Sequence, residues 1–324
     1  MCSHDTINLR LNGLPVINDI NDLSGSSRLS AHTLYNLSFY SNKYYKCYEI
    51  EKKSGKKRLI AQPSRKMKGL QAWILYNILN KLQSSPSSKG FEKGTSIVDN
   101  VRPHIQANAV LVVDLLDFFP SIKKERVFHL FKSIGYNNTI STIFTKICTY
   151  NDSLPQGGPC SPKIANLILW HLDARIQGYA GRRGIKYTRY ADDLTFSGLS
   201  FNSLIKILPF IKRIISEEGF QINHNKTRFA GNAKAKIITG LILNENGFGI
   251  GTKKYRLYRS IIFRSITNNE QDEIKVLQRI FGILSYVRSV DLNRYDKLEK
   301  YIGLLNQKHN NSISNKLSDY MGKH

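Results

Sequence analysis

Three carboxylates, Asp114, Asp192 and Asp193, carry the chemistry this sequence is able to do. Asp192 and Asp193 are adjacent within Lys186-Tyr-Thr-Arg-Tyr-Ala-Asp-Asp-Leu-Thr-Phe-Ser-Gly198. Tyr, Thr and Phe alternate with other residues on both sides of them, which predicts a short β-hairpin with both acids at its tip. Such a pair is also a good turn former, because Asp side chains satisfy local backbone N–H groups. A third acid decides between the two. Asp114 lies in Ala109-Val-Leu-Val-Val-Asp-Leu-Leu-Asp-Phe-Phe-Pro120, an apolar, β-branched run bounded by proline, as in a buried central strand. An ionised carboxylate is costly there unless it is paired or binds metal. Asp117, three residues on, falls at the strand's exposed end. If strand and hairpin are neighbours in an antiparallel sheet, the three acids can hold two divalent ions roughly 3.5–4 Å apart, an arrangement suited to phosphoryl transfer. Hard oxygen ligands with open positions point to Mg²⁺.

The rest of the chain supplies a setting for such a centre. With 324 residues and 41% apolar content, two or three lobes are expected. The 48 Lys and Arg residues exceed the 24 Asp and Glu by enough to give a formal charge of +24. That field favours a polyanionic partner. No apolar run is long enough to span a bilayer, and the opening Met1-Cys-Ser-His-Asp-Thr has none of the features of a secretory signal, so the expected compartment is the cytoplasm. Cys2, Cys47, Cys148 and Cys160 are scattered, with no disulfide or zinc spacing, and are expected to be free and buried.

Taken in order, Arg28 to Leu37 predicts a short helix after a Ser/Gly turn. Tyr48 to Ser64 predicts a hairpin turning at Ser54-Gly55 with Lys56, Lys57 and Arg58 just beyond it. Cations on a rigid hairpin suit phosphate; a solvated charge run is the bland alternative. Met67, Leu70, Trp73, Ile74 and Ile78 fall on one face of a helix running to about Leu82. Two more helices are expected over 124–133 and 138–150. In Leu154-Pro-Gln-Gly-Gly-Pro-Cys-Ser-Pro162, Ser161 reads as the N-cap and Pro162 as the first position of a helix to about Gln177. Gly157 and Gly158 would let a ligand or base pair approach the backbone. Pro209 should kink or break the helix over 201–215. Lys226 sits in an Asn-rich turn, and 235–250 reads as another hairpin. From Lys253 the chain is helical and basic. Tyr255, Arg256, Tyr258 and Arg259 interleave cations with aromatics, either for phosphate contact and base stacking or as core rings with snorkelling arginines.

This order of strand, Gly-rich helix mouth and acidic hairpin resembles the palm of polymerases, in detail that of reverse transcriptases. Asp114-Leu-Leu-Asp-Phe-Phe resembles motif A, Gln156-Gly-Gly-Pro-Cys-Ser-Pro motif B, Tyr190-Ala-Asp-Asp motif C, and Gly219 to Phe229 with Lys226 motif D. Ile238-Thr-Gly-Leu falls where motif E, the primer grip, belongs. Within the bacterial branch the chain is most similar to retron reverse transcriptases, which carry Asn-Ala-x-x-His before motif A and Val-Thr-Gly near motif E. Here these are Asn100-Val-Arg-Pro-His104 and Ile238-Thr-Gly240, each one aliphatic change away.

The resemblance implies an α+β right-hand fold: N-terminal segment and fingers over 1–108, palm over 109–250 with a finger insertion at about 122–155, and a basic helical thumb over 251–324. It implies RNA-directed DNA synthesis with two Mg²⁺ ions held by Asp114, Asp192, Asp193 and the Leu115 carbonyl. Phe119 matches the steric gate against ribose, Arg58 and Lys57 the triphosphate contacts, and Gln156 and Gly157 the flank of the nascent base pair. Lys226 matches a general acid for pyrophosphate. Asn100, His104, Tyr190, Thr239, Gly240, Tyr255, Arg256 and Arg259 fall at RNA or primer contacts. Implied partners are dNTPs, a structured noncoding RNA that serves as template and 2′-OH primer, its DNA product, and an effector protein in anti-phage defence. Alternatives are another bacterial reverse transcriptase group, group II intron-like or abortive-infection, or an RNA-binding module with vestigial catalysis.

Overall fold

The structure, a computed structural model, describes residues 4–51, 55, 57–231, 233–245, 247–267, 273–309 and 316–317. Its helices are α1 His4–Leu11, α2 Ile20–Ser27, α3 Ala31–Phe39, α4 Arg65–Asn77, α5 Ile97–Val101, α6 Phe118–Ser121, α7 Lys124–Ile134, α8 Asn138–Cys148, α9 Ser161–Ile168, α10 Trp170–Gly181, α11 Phe201–Glu217, α12 Gly251–Thr267, α13 Glu273–Val290 and α14 Leu292–His309. The strands are β1 Tyr45–Glu51, β2 Lys57–Pro63, β3 Ala109–Asp114, β4 Lys186–Tyr190, β5 Asp193–Gly198, β6 Arg228–Ala230, β7 Ile237–Ile238, β8 Leu241–Asn244 and β9 Gly247–Gly249.

The site is organised by a four-stranded antiparallel sheet in the order β4-β5-β3-β6. All six residues of β3 are buried, because its two faces meet different cores. Ala109, Leu111 and Val113 pack into a core shared with the N-terminal helices, α4 and α7 to α11. Val110 and Val112 face the other way, into a core with β7, β8 and helices α12 to α14. Period-two alternation across two covered faces is why the strand reads as an unbroken apolar run. The fingers hairpin β1-β2 pairs Tyr45 with Pro63 through to Glu51 with Lys57. Its turn residues 52–54 and Lys56 lie outside the described residues.

Several expectations are corrected. The strand predicted to reach Pro120 ends at Asp114, and Asp117 caps α6 in a left-handed conformation at φ 43°. The fourth helix stops at Asn77 and a 3₁₀ turn over Leu79–Lys81 completes the span. Ser161 is the first residue of α9 and not its cap; Cys160 holds the N-cap position without a side-chain bond, and the Ser161 N–H closes a turn on the Gly158 carbonyl. The helix beyond it is interrupted at Leu169 and resumes as α10. Pro209 does not break α11, which runs through it from Phe201 to Glu217. The carbonyl a proline deprives of its partner belongs to residue i−4, here the exposed Ile205, where water can replace the lost bond. Cys148 and Cys160 are buried free thiols, but Cys47 is exposed. Among the described residues no helix is long and apolar enough to cross a membrane.

Candidate active site

The β3–β5 register sets Asp114 directly opposite Asp193. Directly opposed residues of antiparallel strands project from the same face, so these two carboxylates share one end of the sheet. Asp193 therefore begins a strand and does not sit at the hairpin tip. The tip is Ala191-Asp192, closed by the Tyr190–Asp193 pair, with Ala191 at φ 57°. Asp192 is tied to the end of β3, its carbonyl accepting the Leu115 N–H at 3.0 Å. Local sequence supplies each strand and the register brings the acids together.

Their electrostatics are those of crowded anions. Burial, then the charges of Asp192 and Asp114, push the Asp193 carboxyl up to about 6. Burial and Asp114 raise Asp192 as well, while Lys226 and Arg58 oppose the rise. Asp114 accepts from Asn223 Nδ2 at 3.1 Å and from Lys226 Nζ at 2.9 Å. The bond to Asp114 in turn raises the Lys226 ammonium above the usual lysine range. Asn223 also donates its backbone N–H to the Asp114 carbonyl at 2.8 Å, fixing the turn that carries Lys226 against β3. Its side-chain role was not read from the sequence, though its place in the Asn-rich turn was the available signal.

Among the described residues no three His, Cys, Asp or Glu side chains are drawn tightly enough together to enclose an ion unaided. The donor set nonetheless fits a hard divalent cation: three carboxylates at one sheet end, two of them desolvated and each raised by its neighbours.

Around the acids, the charge of Arg58 reaches Asp192 from the fingers hairpin. Lys57 turns aside to pair with Glu49 of its own hairpin at 2.8 Å, an exposed ion pair. Phe119 is half-buried on Phe118, at a centroid distance of 5.1 Å. The motif B loop is fastened to β2 by the Gln156 carbonyl, which accepts the Ala61 N–H at 2.9 Å. Gly157 has φ 124°, and a Cβ there would lie 2.9 Å from the Ala61 carbonyl. The close approach expected of a ligand at this glycine is thus made by the fingers strand itself.

The sequence profile of the family described as reverse transcriptase (RNA-dependent DNA polymerase) matches residues 50–277. Retron Ec86 reverse transcriptase of Escherichia coli is 46% identical over 314 residues, covering 96% of this chain and 97% of that protein. Retron Mx65 reverse transcriptase of Myxococcus xanthus is 30% identical over 318 residues, covering 91% of this chain and 74% of that protein. The chain belongs to the bacterial retron reverse transcriptases. It is an RNA-directed DNA polymerase, and reverse transcriptases use divalent metal ions.

The remaining predicted residues of this reverse transcriptase divide into surface and interior. Asn100 and His104, expected at RNA or primer, are fully buried. His104 bridges the sheet from beneath, Nδ1 2.7 Å from Ser197 Oγ and Nε2 2.8 Å from Thr188 Oγ1. Burial lowers its pKa to about 4, so the imidazole is neutral, one nitrogen donating and the other accepting. Neither lies on the surface: the His104 ring ties β4 to β5, and the Asn100 carbonyl accepts the Thr188 hydroxyl of β4 at 3.3 Å. Thr239 and Gly240 form the β7–β8 turn with φ 45° and 82°, and the Gly240 carbonyl accepts Lys254 Nζ at 2.8 Å. On α12, Arg256 is exposed, Arg259 lies 4.1 Å from the Tyr301 ring centroid, and Tyr255 is half-buried beside Arg259 and Arg294. The packing of Tyr255 and Tyr301 with Arg259 and Arg294 fits core rings with snorkelling arginines, while Arg256 stands exposed on the same helix.

Sequence reasoning missed a buried ionic network behind motif C. Arg189 and Asp173 are both 0% exposed, with Nη2 to Oδ2 at 2.8 Å and Nε to Oδ1 at 2.9 Å. Arg189 Nη1 also donates to Asn166 Oδ1 at 3.0 Å and to the Ala191 carbonyl at 3.2 Å. Asn166 Nδ2 and Lys163 Nζ, both on α9, each hold the Glu92 carboxylate at 2.7 Å. The signal was present in Arg189 next to Tyr190, a charge inside an otherwise apolar-alternating strand.

Proposed function

We propose that Asp114, Asp192 and Asp193 form a two-Mg²⁺ centre, with the Leu115 carbonyl completing a site, at which this reverse transcriptase extends a primer on a structured noncoding RNA. Support comes chiefly from one relationship, the pairing of Asp114 with Asp193 while Leu115 binds the Asp192 carbonyl. Bound there, the ions would stabilise the attacking and leaving oxygens of nucleotidyl transfer. The chain's own residues would do the rest. Arg58, whose charge already reaches Asp192, would hold the triphosphate through its guanidinium fork. Lys57 would assist it, and Gln156 and Gly157 would flank the nascent pair. Phe119 would close the space beneath the sugar against a 2′-OH, and Tyr190 would stand beside the primer end. Lys226, on a mobile stem, would leave Asp114 to protonate the departing pyrophosphate.

Membership of the retron group supports a finer reading. Synthesis would begin from the 2′-OH of an internal guanosine and leave a branched RNA-linked DNA, in the cytoplasm and together with an effector protein of an anti-phage system. Residues 251–324 would act as a thumb on an RNA hairpin, joined to a palm over 109–250 and fingers before it. Sequencing the nucleic acid that copurifies with the protein tests this: a retron product matches a neighbouring locus and carries a branched RNA. Untemplated DNA would point instead to an abortive-infection activity. Asp192→Asn should abolish Mg²⁺-dependent extension; undiminished synthesis would refute the assignment of the centre.

A further inference from the structure

Phe91 is an exposed aromatic residue in a conformation that side chains avoid. It has φ 62° and is 49% exposed. Left-handed backbone is a true outlier for a bulky residue, and such strain persists only where the surroundings impose it. Here both flanks impose it. On one side, Arg189 N–H donates to the Ser87 carbonyl at 2.8 Å and Lys89 N–H to the Arg189 carbonyl at 2.7 Å, laying the segment along the outer edge of β4. Gly90 has no room for a side chain, since a Cβ would lie 2.8 Å from the Ala191 nitrogen, and its carbonyl accepts Asn166 Nδ2 at 2.8 Å. On the other side, Glu92 is locked by Lys163 and Asn166, its carboxyl pKa lowered by those bonds against the effect of burial.

The ring so held gains little burial of its own. Its centroid lies 6.4 Å from that of Phe119 and 6.4 Å from that of Tyr190, tilted 47° and 37°. It therefore bridges the residue assigned to the nucleotide sugar and the residue assigned to the primer end. We propose that Phe91 is a specificity-determining residue that backs the Phe119 ring and thereby sharpens the choice of deoxyribo- over ribonucleotides. This rests on the gate role of Phe119. A tilted aromatic neighbour within 7 Å restricts the ring it touches. With Phe91 removed, Phe119 is free to swing away from a 2′-OH.

Single-nucleotide extension with a deoxynucleotide and its ribo counterpart, on Phe91→Ala, Phe91→Tyr, Glu92→Gln and Phe119→Ala, tests the proposal. Phe91→Ala should raise relative ribonucleotide use roughly 3- to 10-fold, the span expected for one aromatic pair. The change should appear in the ribonucleotide KM. Phe91→Tyr should restore the wild-type ratio. Glu92→Gln, which loosens the clamp without touching the ring, should shift the ratio in the same direction but less. If Phe119→Ala raises ribonucleotide use and Phe91→Ala lowers both substrates equally, the proposal fails and the gate stands. If Phe119→Ala leaves the ratio unchanged, gate and proposal fall together.

Discussion

Asp114 and Asp193 face each other across neighbouring strands, and Asp193 is pushed up to about 6 by burial and by the charges beside it. The sheet thus holds together groups that repel, a cost that opposes folding until a cation or proton arrives. Removing one charge should relieve it. In chelator near pH 7.5, Asp193→Asn should melt about 2 °C above wild type, and added Mg²⁺ should raise the wild-type melting temperature more than that of the variant. The sign follows from an acid whose folded pKa lies above its unfolded value: the penalty is full above the folded pKa and fades as pH falls below about 6. The variant's advantage should therefore vanish by about pH 4. A variant that melts below wild type in chelator would show that the carboxylates are not in conflict.

His104 provides an independent pH signal away from the carboxylates. Its folded pKa of about 4 lies below the ordinary 6.5, so between those values the unfolded chain binds a proton that the buried ring refuses. Stability should be fully present above about pH 6.5 and fall as pH drops towards 4, by roughly 3 kcal/mol from this group. His104→Asn keeps one donor and one acceptor for Ser197 and Thr188 but does not titrate. Urea melts across that window should give a flatter profile for the variant; parallel profiles would mean that the ring is protonated in the fold.

Elements were legible in the sequence wherever one period or one motif sufficed. The buried run before Asp114, the helices α7 and α8 and the Lys226 turn formed as read, and the hairpin around Asp192 formed with Asp193 moved from its tip to the start of β5. What stayed hidden depended on partners distant in sequence. The family resemblance placed His104 at RNA or primer, and nothing local shows that Ser197 and Thr188 enclose it, 93 and 84 residues away. The glycine at 157 pointed to a ligand because the carbonyl that crowds it belongs to Ala61. Arg189 and Asp173 lie on different elements, so their pairing emerges only when α10 packs on β4.

That pairing should dominate the response to core charge changes. Arg189→Met would leave the buried Asp173 side chain without its guanidinium partner, at an expected cost of about 3–5 kcal/mol in denaturant unfolding. Arg189→Met combined with Asp173→Leu removes both charges and should recover part of the loss. The double variant should still extend primers poorly, because the Ala191 carbonyl also loses its Arg189 donor. Equal stability of single and double variants would show that Asp173 without Arg189 carries no burial penalty.

The arginines of α12 should separate into binding and packing roles. Arg256 and Arg259 are both exposed, but Arg259 also sits 4.1 Å from the Tyr301 ring that joins α12 to α14. If Arg256 meets an RNA phosphate, Arg256→Ala should lower the slope of log affinity against log salt by about 1 and leave the melting temperature unchanged. Arg259→Ala should also remove a cation–π contact worth about 0.5–1 kcal/mol. It should therefore cost stability whether or not RNA is present. Filter binding of the cognate RNA from low to moderate salt, with melts of the free proteins, distinguishes the two. An unchanged salt slope for Arg256→Ala would remove α12 from the RNA path and leave it a structural helix packed on α14.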